Sequence, residues 1–125
     1  MVKKTAHKNQ ANLFYGSLIN MLDENDPLIA LADAIEWNRI EKGLDKYYDQ
    51  TNGRPGKPIR LMAGLLMLKQ LENLSDENVV LQWKRNPYYQ YFCGMNDYCA
   101  SLPCDSTELG KFRKRIGQEG IDVIF

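Results

Sequence analysis

Pro58-Ile59-Arg60-Leu61-Met62-Ala63-Gly64-Leu65-Leu66-Met67-Leu68-Lys69-Gln70-Leu71 is the most apolar stretch of this 125-residue chain. Proline at its start suits the first turn of a helix, where the missing N–H has no intrahelical partner to lose. Apolar residues then go almost all the way round, which predicts a helix buried at the centre of the fold. The unbroken apolar run, Leu61–Leu68, is eight residues long. A membrane span needs roughly 20.

The sequence on either side repeats helical spacing. Downstream, Asn73-Leu74-Ser75 turns the chain, and Ser75 with Asp76 and Glu77 opens a helix whose Val79, Val80 and Trp83 face inward. Asn86-Pro87 stops it. Tyr88, Tyr89, Tyr91 and Phe92 form a short aromatic helix or turn ending at Gly94, and residues 95–104 are irregular. Asp105 and Glu108 have capping-box spacing for a last helix that buries Leu109, Phe112 and Ile116. Upstream, Phe14, Leu18, Met21 and Leu22 share a face of a first helix ended by Asp23–Asn25. Asp26-Pro27 caps a second, with a stripe of Leu28, Leu31 and Ile35. Helix resumes or continues through Trp37, Ile40, Leu44 and Tyr47. Gly53, Pro55, Gly56 and Pro58 make residues 49–58 a loop. No alternating run reads as a strand. The expected fold is all-α: five or six helices in a compact bundle, with a helix-turn-helix-like pair (58–71 and 76–85) around the central helix. A flexible basic tail over residues 1–12 precedes one domain over 13–125.

Sixteen Lys+Arg balance sixteen Asp+Glu, so the formal net charge is zero. That excludes a uniformly basic chromatin-like protein and leaves nucleic-acid binding to local patches. The charges are segregated: residues 23–49 carry eight acids against three cations, and residues 111–115 carry four cations. Three cysteines, Cys93, Cys99 and Cys104, cannot all pair within the chain, and the start lacks the pattern of a secretory signal. A cytoplasmic location with free thiols is expected. Their spacing lacks the paired ligands of a zinc site. A Cys–His catalytic pair would need His7 to fold back from the terminus.

An ordered set of pieces now points to a family. Asp33-Ala34-Ile35-Glu36-Trp37 is followed by Gly53-Arg54-Pro55, the Leu-rich helix and Leu74-Ser75-Asp76-Glu77. Then come Asn86-Pro87-Tyr88-Tyr89-Gln90-Tyr91-Phe92-Cys93-Gly94, Leu102-Pro103-Cys104-Asp105-Ser106-Thr107 and Phe112-Arg113-Lys114-Arg115-Ile116-Gly117. Over residues 13–125 the chain resembles the N-terminal domain of bacterial insertion-sequence DDE transposases of the insertion sequence five group (InsH type). The resemblance implies a role in transposon-end recognition or assembly. It also places strand chemistry, with its Mg²⁺, in an RNase H-like core beyond Phe125. The chain by itself is therefore expected to be no enzyme and to need no cofactor, and Asp105 takes no metal role.

The expected partner is double-stranded DNA, the terminal inverted repeat of a transposon, with no membrane role. Lys111, Lys114 and Arg115 lie opposite Leu109, Phe112 and Ile116, and three phosphate contacts would give a salt slope of roughly −2.7. Arg113 lies nearer the apolar side, where an acid is as good a partner as a phosphate. Arg54, Lys57 and Arg60, on and beside the Gly/Pro loop, are further phosphate candidates, and a slim Gly-Arg-Pro arm can enter a minor groove. On the helix after the turn, Asn78 and Gln82 can read adenine bidentately, with Lys84 and Arg85 beside them. Asp76 and Glu77 oppose a phosphate at that helix's start. Each signal has a plain structural counterpart: an ordinary antiparallel helix pair, a solvated charged face, a connector. The competing function is a protein-interaction module that homodimerises through Trp37, Trp83 and the Tyr cluster.

Overall fold

The computed structural model describes residues 17–48 and 57–125. Six α-helices and two short 3-10 turns make up the regular structure of these residues, and no strand occurs among them. The fold is all-α, as the spacing requires.

Leu18–Met21 is a 3-10 turn that buries Leu18 but leaves Met21 half exposed. The first helix expected around Leu18 and Leu22 is reduced to this turn among the described residues, and Phe14 lies outside them. Helix α1, Pro27–Ala34, starts where expected: the Asp26 carboxylate accepts the Leu28 amide proton at 2.9 Å. Its buried residues are Ile29 and Ala32, whereas Leu31 faces solvent and Leu28 and Ile35 are only partly covered. The apolar stripe is thus rotated from the Leu28/Leu31/Ile35 expectation, because the small Ala32 lies against the bundle. Ile35 is extended, and α2, Trp37–Leu44, begins as a separate helix. Trp37 explains the break: its indole N–H donates to the Ala32 carbonyl at 2.9 Å and closes the end of α1. A 3-10 turn, Asp45–Tyr47, follows α2.

Helix α3, Ile59–Glu72, is the centre of the fold, and every residue from Leu61 to Leu68 is buried. It packs on α2 and on the helices that follow. Asn73, in the left-handed conformation (φ 55°), ends it, and the Lys69 ammonium donates to the Leu74 carbonyl at 3.0 Å. Helix α4, Asp76–Arg85, begins after this three-residue turn, with Ser75 accepting the Asn78 amide proton at 3.0 Å. Helix α5, Pro87–Phe92, is capped by Asn86 and approaches α3 at Gly64, where a Cβ would come within 2.7 Å of the Cys93 sulfur.

Residues 95–104 are irregular but anchored. The fully buried Gln90 amide donates to the Cys99 carbonyl at 2.8 Å and accepts from its N–H at 2.7 Å. Helix α6, Ser106–Ile124, opens with the full Asp105/Glu108 capping box and packs across α2, α3 and α4. It is interrupted at Gly117, whose φ of 62° and ψ of −167° belong to a region essentially reserved for glycine.

Candidate nucleic-acid interface

The candidate cations separate according to what their neighbours already ask of them. Arg60 is spent inside the fold. Its guanidinium stacks over the Trp37 ring at 4.4 Å. Its Nε and Nη2 each donate to the Phe92 carbonyl at 3.2 Å, and Nη2 also reaches Tyr91 at 3.4 Å. Gly94 leaves room for this side chain, since a Cβ there would meet the Arg60 Cδ at 2.8 Å. Arg60 therefore ties the last carbonyls of α5 to α3, with a cation–π contact of about 1–2 kcal/mol when desolvated. Burial pulls its pKa down, and surrounding charges, Glu41 and Asp33 among them, partly offset this. It is a structural cation and leaves the set of phosphate candidates.

Arg113 is also engaged. Its Nη1 and Nη2 donate to the two Asp76 carboxylate oxygens at 2.8 and 2.9 Å. Lys69 adds a looser contact to Asp76 at 3.9 Å. The Arg113 hydrogen bonds hold the Asp76 carboxyl below its usual value, against burial. The fork clamps the first turn of α4 to the middle of α6, and the Asp76 charge that would repel a phosphate is turned inward and neutralised. Glu77 remains exposed beside it.

Lys57, Asn78, Gln82, Lys84, Arg85, Lys111, Lys114 and Arg115 are all exposed, and none joins an ion pair among the described residues. They fall into two groups. On α4, Asn78, Gln82 and Arg85 follow helical spacing along one stripe. Glu77, Val80 and Leu81 lie on another, lining a groove of about 430 Å³ with Leu102, Cys104, Asp105 and Ser106. On α6, Lys111, Lys114 and Arg115 form an outward ridge opposite the buried Leu109, Phe112 and Ile116. Lys57 joins the α6 group, because the Tyr48 hydroxyl donates to its carbonyl at 3.0 Å while the Tyr48 ring packs edge-on against Phe112 at 6.4 Å. Arg54 lies outside the described residues.

Beyond Gly117 the same helix changes sign. Glu119 and Asp122 are exposed there. Glu119 meets Lys46 at 3.8 Å and accepts from the Tyr47 hydroxyl at 3.3 Å. The acidic 23–49 segment and the last helix thus meet through a lysine of the former and a glutamate of the latter.

The aromatic residues are largely committed. Trp83 is 1% and Trp37 8% exposed. Tyr88 accepts the Asp23 amide proton at 2.9 Å, Tyr89 donates to Glu72 at 3.2 Å, and Tyr91 donates to Asp33 at 2.9 Å. Phe92 packs edge-on against Trp37 at 5.4 Å. They join α5 to its neighbours, so the dimer surface expected of Trp37, Trp83 and the tyrosines is instead internal packing. The thiols are unpaired. Burial pushes Cys93 up to about 12 and Cys104 up to about 11, so neither is a ready nucleophile.

The sequence family described as "Transposase domain (DUF772)" matches residues 16–115, from the first turn to the end of the basic ridge. This chain belongs to the DUF772 transposase-domain family. A curated relative, "Uncharacterized protein ORF8 in nfe locus" of Rhizobium meliloti, is 38% identical over 113 residues. That is 90% of this chain and 54% of the relative, so the DUF772 domain here spans about half the relative's length. No solved structure matches the chain. The DUF772 match takes in α1 to α5 and the cationic first half of α6, and stops short of Gly117 and the acidic turn beyond it. No described helix is long and apolar enough to cross a membrane.

Proposed function

We propose that this DUF772 domain is the DNA-end-binding part of an insertion-sequence transposase of the insertion sequence five (InsH-type) DDE group, acting in the cytoplasm on the terminal inverted repeat. The observation that carries the reading is the ridge of Lys111, Lys114 and Arg115: three exposed cations on the outer face of a helix whose inner face is core. A duplex binds such a ridge by exchanging condensed counterions for protein cations, and three contacts give a salt slope of roughly −2.7. Phosphate contacts of this kind position the protein but carry no sequence information. Base reading falls to Asn78 and Gln82 on the exposed stripe of α4, whose amides can pair with adenine in the major groove.

In this reading strand cutting and joining, with the Mg²⁺ they use, belong to the RNase H-like core of such transposases. The present helices bind and hold, without a cofactor of their own. A supercoiled plasmid incubated with the chain and Mg²⁺ or Mn²⁺ stays uncut.

The deciding experiment is a mobility shift with a terminal-repeat duplex over about 50–200 mM salt. Binding is tightest at low salt, and Lys114→Glu weakens it. If the duplex stays free at low salt while the chain sediments as a stable dimer, the protein-interaction reading replaces this one.

A further inference from the structure

The ridge on α6 has one neighbour from a distant part of the sequence, and a single tyrosine accounts for its position. Tyr48 ends the 3-10 turn after α2, and Lys57 precedes the central helix. The 3.0 Å hydrogen bond from the Tyr48 hydroxyl to the Lys57 carbonyl joins two points nine residues apart. The Tyr48 ring is braced on Phe112, and Arg115 lies three residues further along α6, at the edge of the exposed ridge. Arg115 is close enough that its charge partly offsets the rise in the Tyr48 pKa caused by burial.

Lys57 is held on its other side by chemistry. Pro58 follows it with φ −55°. A residue before proline is confined to extended backbone. With its carbonyl bonded and its backbone restricted, Lys57 is stationed beside α6. The acids at the start of α6 are turned to its backbone: Glu108 accepts the Asp105 amide proton at 2.8 Å, and Asp105 accepts that of Thr107 at 3.2 Å. Neither makes an ion pair with Lys57 among the described residues.

We infer that Tyr48 is a positioning residue for a corner that binds the phosphodiesters of duplex DNA, formed by Lys57 and Arg115, each of which lies beside Tyr48. The inference rests on the DNA-binding reading above and adds a fourth phosphate contact to the three of the ridge. Four contacts correspond to a salt slope of about −3.6, and each one lost changes it by about 0.9. Without its hydroxyl, Tyr48 still fills the space against Phe112 but no longer holds the Lys57 backbone. The lysine must then be ordered at the moment of binding, and its contact is lost.

The test is fluorescence anisotropy of the full chain with a labelled duplex of mixed sequence across a salt series, for Tyr48→Phe, Lys57→Gln and the double variant. Each single variant is expected to flatten the slope by about 0.9, and the double variant by no more than either single. A Tyr48→Phe slope equal to that of the unaltered chain overturns the inference. So does a double variant whose loss equals the sum of the two, because Tyr48 and Lys57 would then act separately. A helical signal and melting point matching the unaltered chain verify that the phenylalanine variant folds. Should it not fold, Lys57→Gln decides alone, and an unchanged slope overturns the corner. Absence of salt-sensitive binding by the unaltered chain overturns the parent reading, an outcome distinct from binding with an unchanged Tyr48→Phe slope.

Discussion

Helix α4 and the first half of α6 are built alike and dispose of their cations differently. Both open on a side-chain cap, with two acids in the first turn of α4 and one in that of α6, and both bury three apolar residues: Val79, Val80 and Trp83 in one, Leu109, Phe112 and Ile116 in the other. On α4 the cations Lys84 and Arg85 are the last two residues, where they face the negative end of their own helix dipole. The Lys84 carbonyl is further engaged by the Tyr98 hydroxyl at 3.0 Å. On α6 Lys111 stands in the middle of the first half, while Lys114 and Arg115 lie in its last turn before the break at Gly117, all three on the outward face. Charge at a helix end has local work to do. Charge in the middle of an exposed face, as at Lys111, has none, and is free for a partner.

Removing the ridge is the strongest way to break this contrast. Lys111→Gln, Lys114→Gln and Arg115→Gln together should lower duplex affinity more than tenfold at about 50 mM salt and flatten the salt slope by about 2.7. Lys84→Gln with Arg85→Gln should change both quantities by less than half as much. Equal losses from the two sets would erase the distinction drawn above.

Next in size is the loss of base discrimination. Asn78→Ala or Gln82→Ala should each reduce the preference for the terminal repeat over mixed sequence by about 1–3 kcal/mol while leaving the salt slope in place. Competition binding at fixed salt measures it. A variant that loses slope and keeps preference would move base reading away from α4.

The clamp between the two helices can be probed without DNA. Arg113→Ala should cost about 1 kcal/mol of stability by urea unfolding, a charge-assisted fork discounted for partial exposure. Its pH dependence has a definite sign. The folded Asp76 carboxyl is held below 3.8 by its Arg113 hydrogen bonds. The pair's stabilisation is therefore complete above that unfolded value and fades as pH falls through the lower folded one. Asp76→Asn should remove this part of the acid sensitivity. The smallest effect belongs to the α4 terminus: Lys84→Ala should cost only about 0.3–1 kcal/mol, and added salt should shrink it.

Sequence alone placed most of the helices because their starts are written in local chemistry. Asp26-Pro27, Ser75 and the Asp105/Glu108 box each act within a few residues, and each caps as expected. The central helix was legible because an all-round apolar surface has only one destination. Tertiary choices were less legible. Spacing could not say that small Ala32 rather than Leu31 would face the bundle, and Gly117 and Gly120 hid the second half of α6. Arg60 carries a signal of its own: a cation between Ile59 and Leu61, at the start of the apolar run, is badly placed for a polyanion and well placed for an indole and a row of carbonyls. Arg113, on the apolar edge of its helix, was open to an acid from the start and found one. Tyr48 left no local trace, since its hydroxyl bonds a backbone carbonyl nine residues away.

The change of sign at Gly117 bears on how the molecule approaches anything charged. A polypeptide with sixteen charges of each kind has no monopole, so a distant polyanion exerts almost no pull on it. Cations before the break and carboxylates after it leave a permanent moment across it, and the field of a polyanion acts on that moment as a torque. Such a body is turned before it is drawn in, and its first collision is already end-selected.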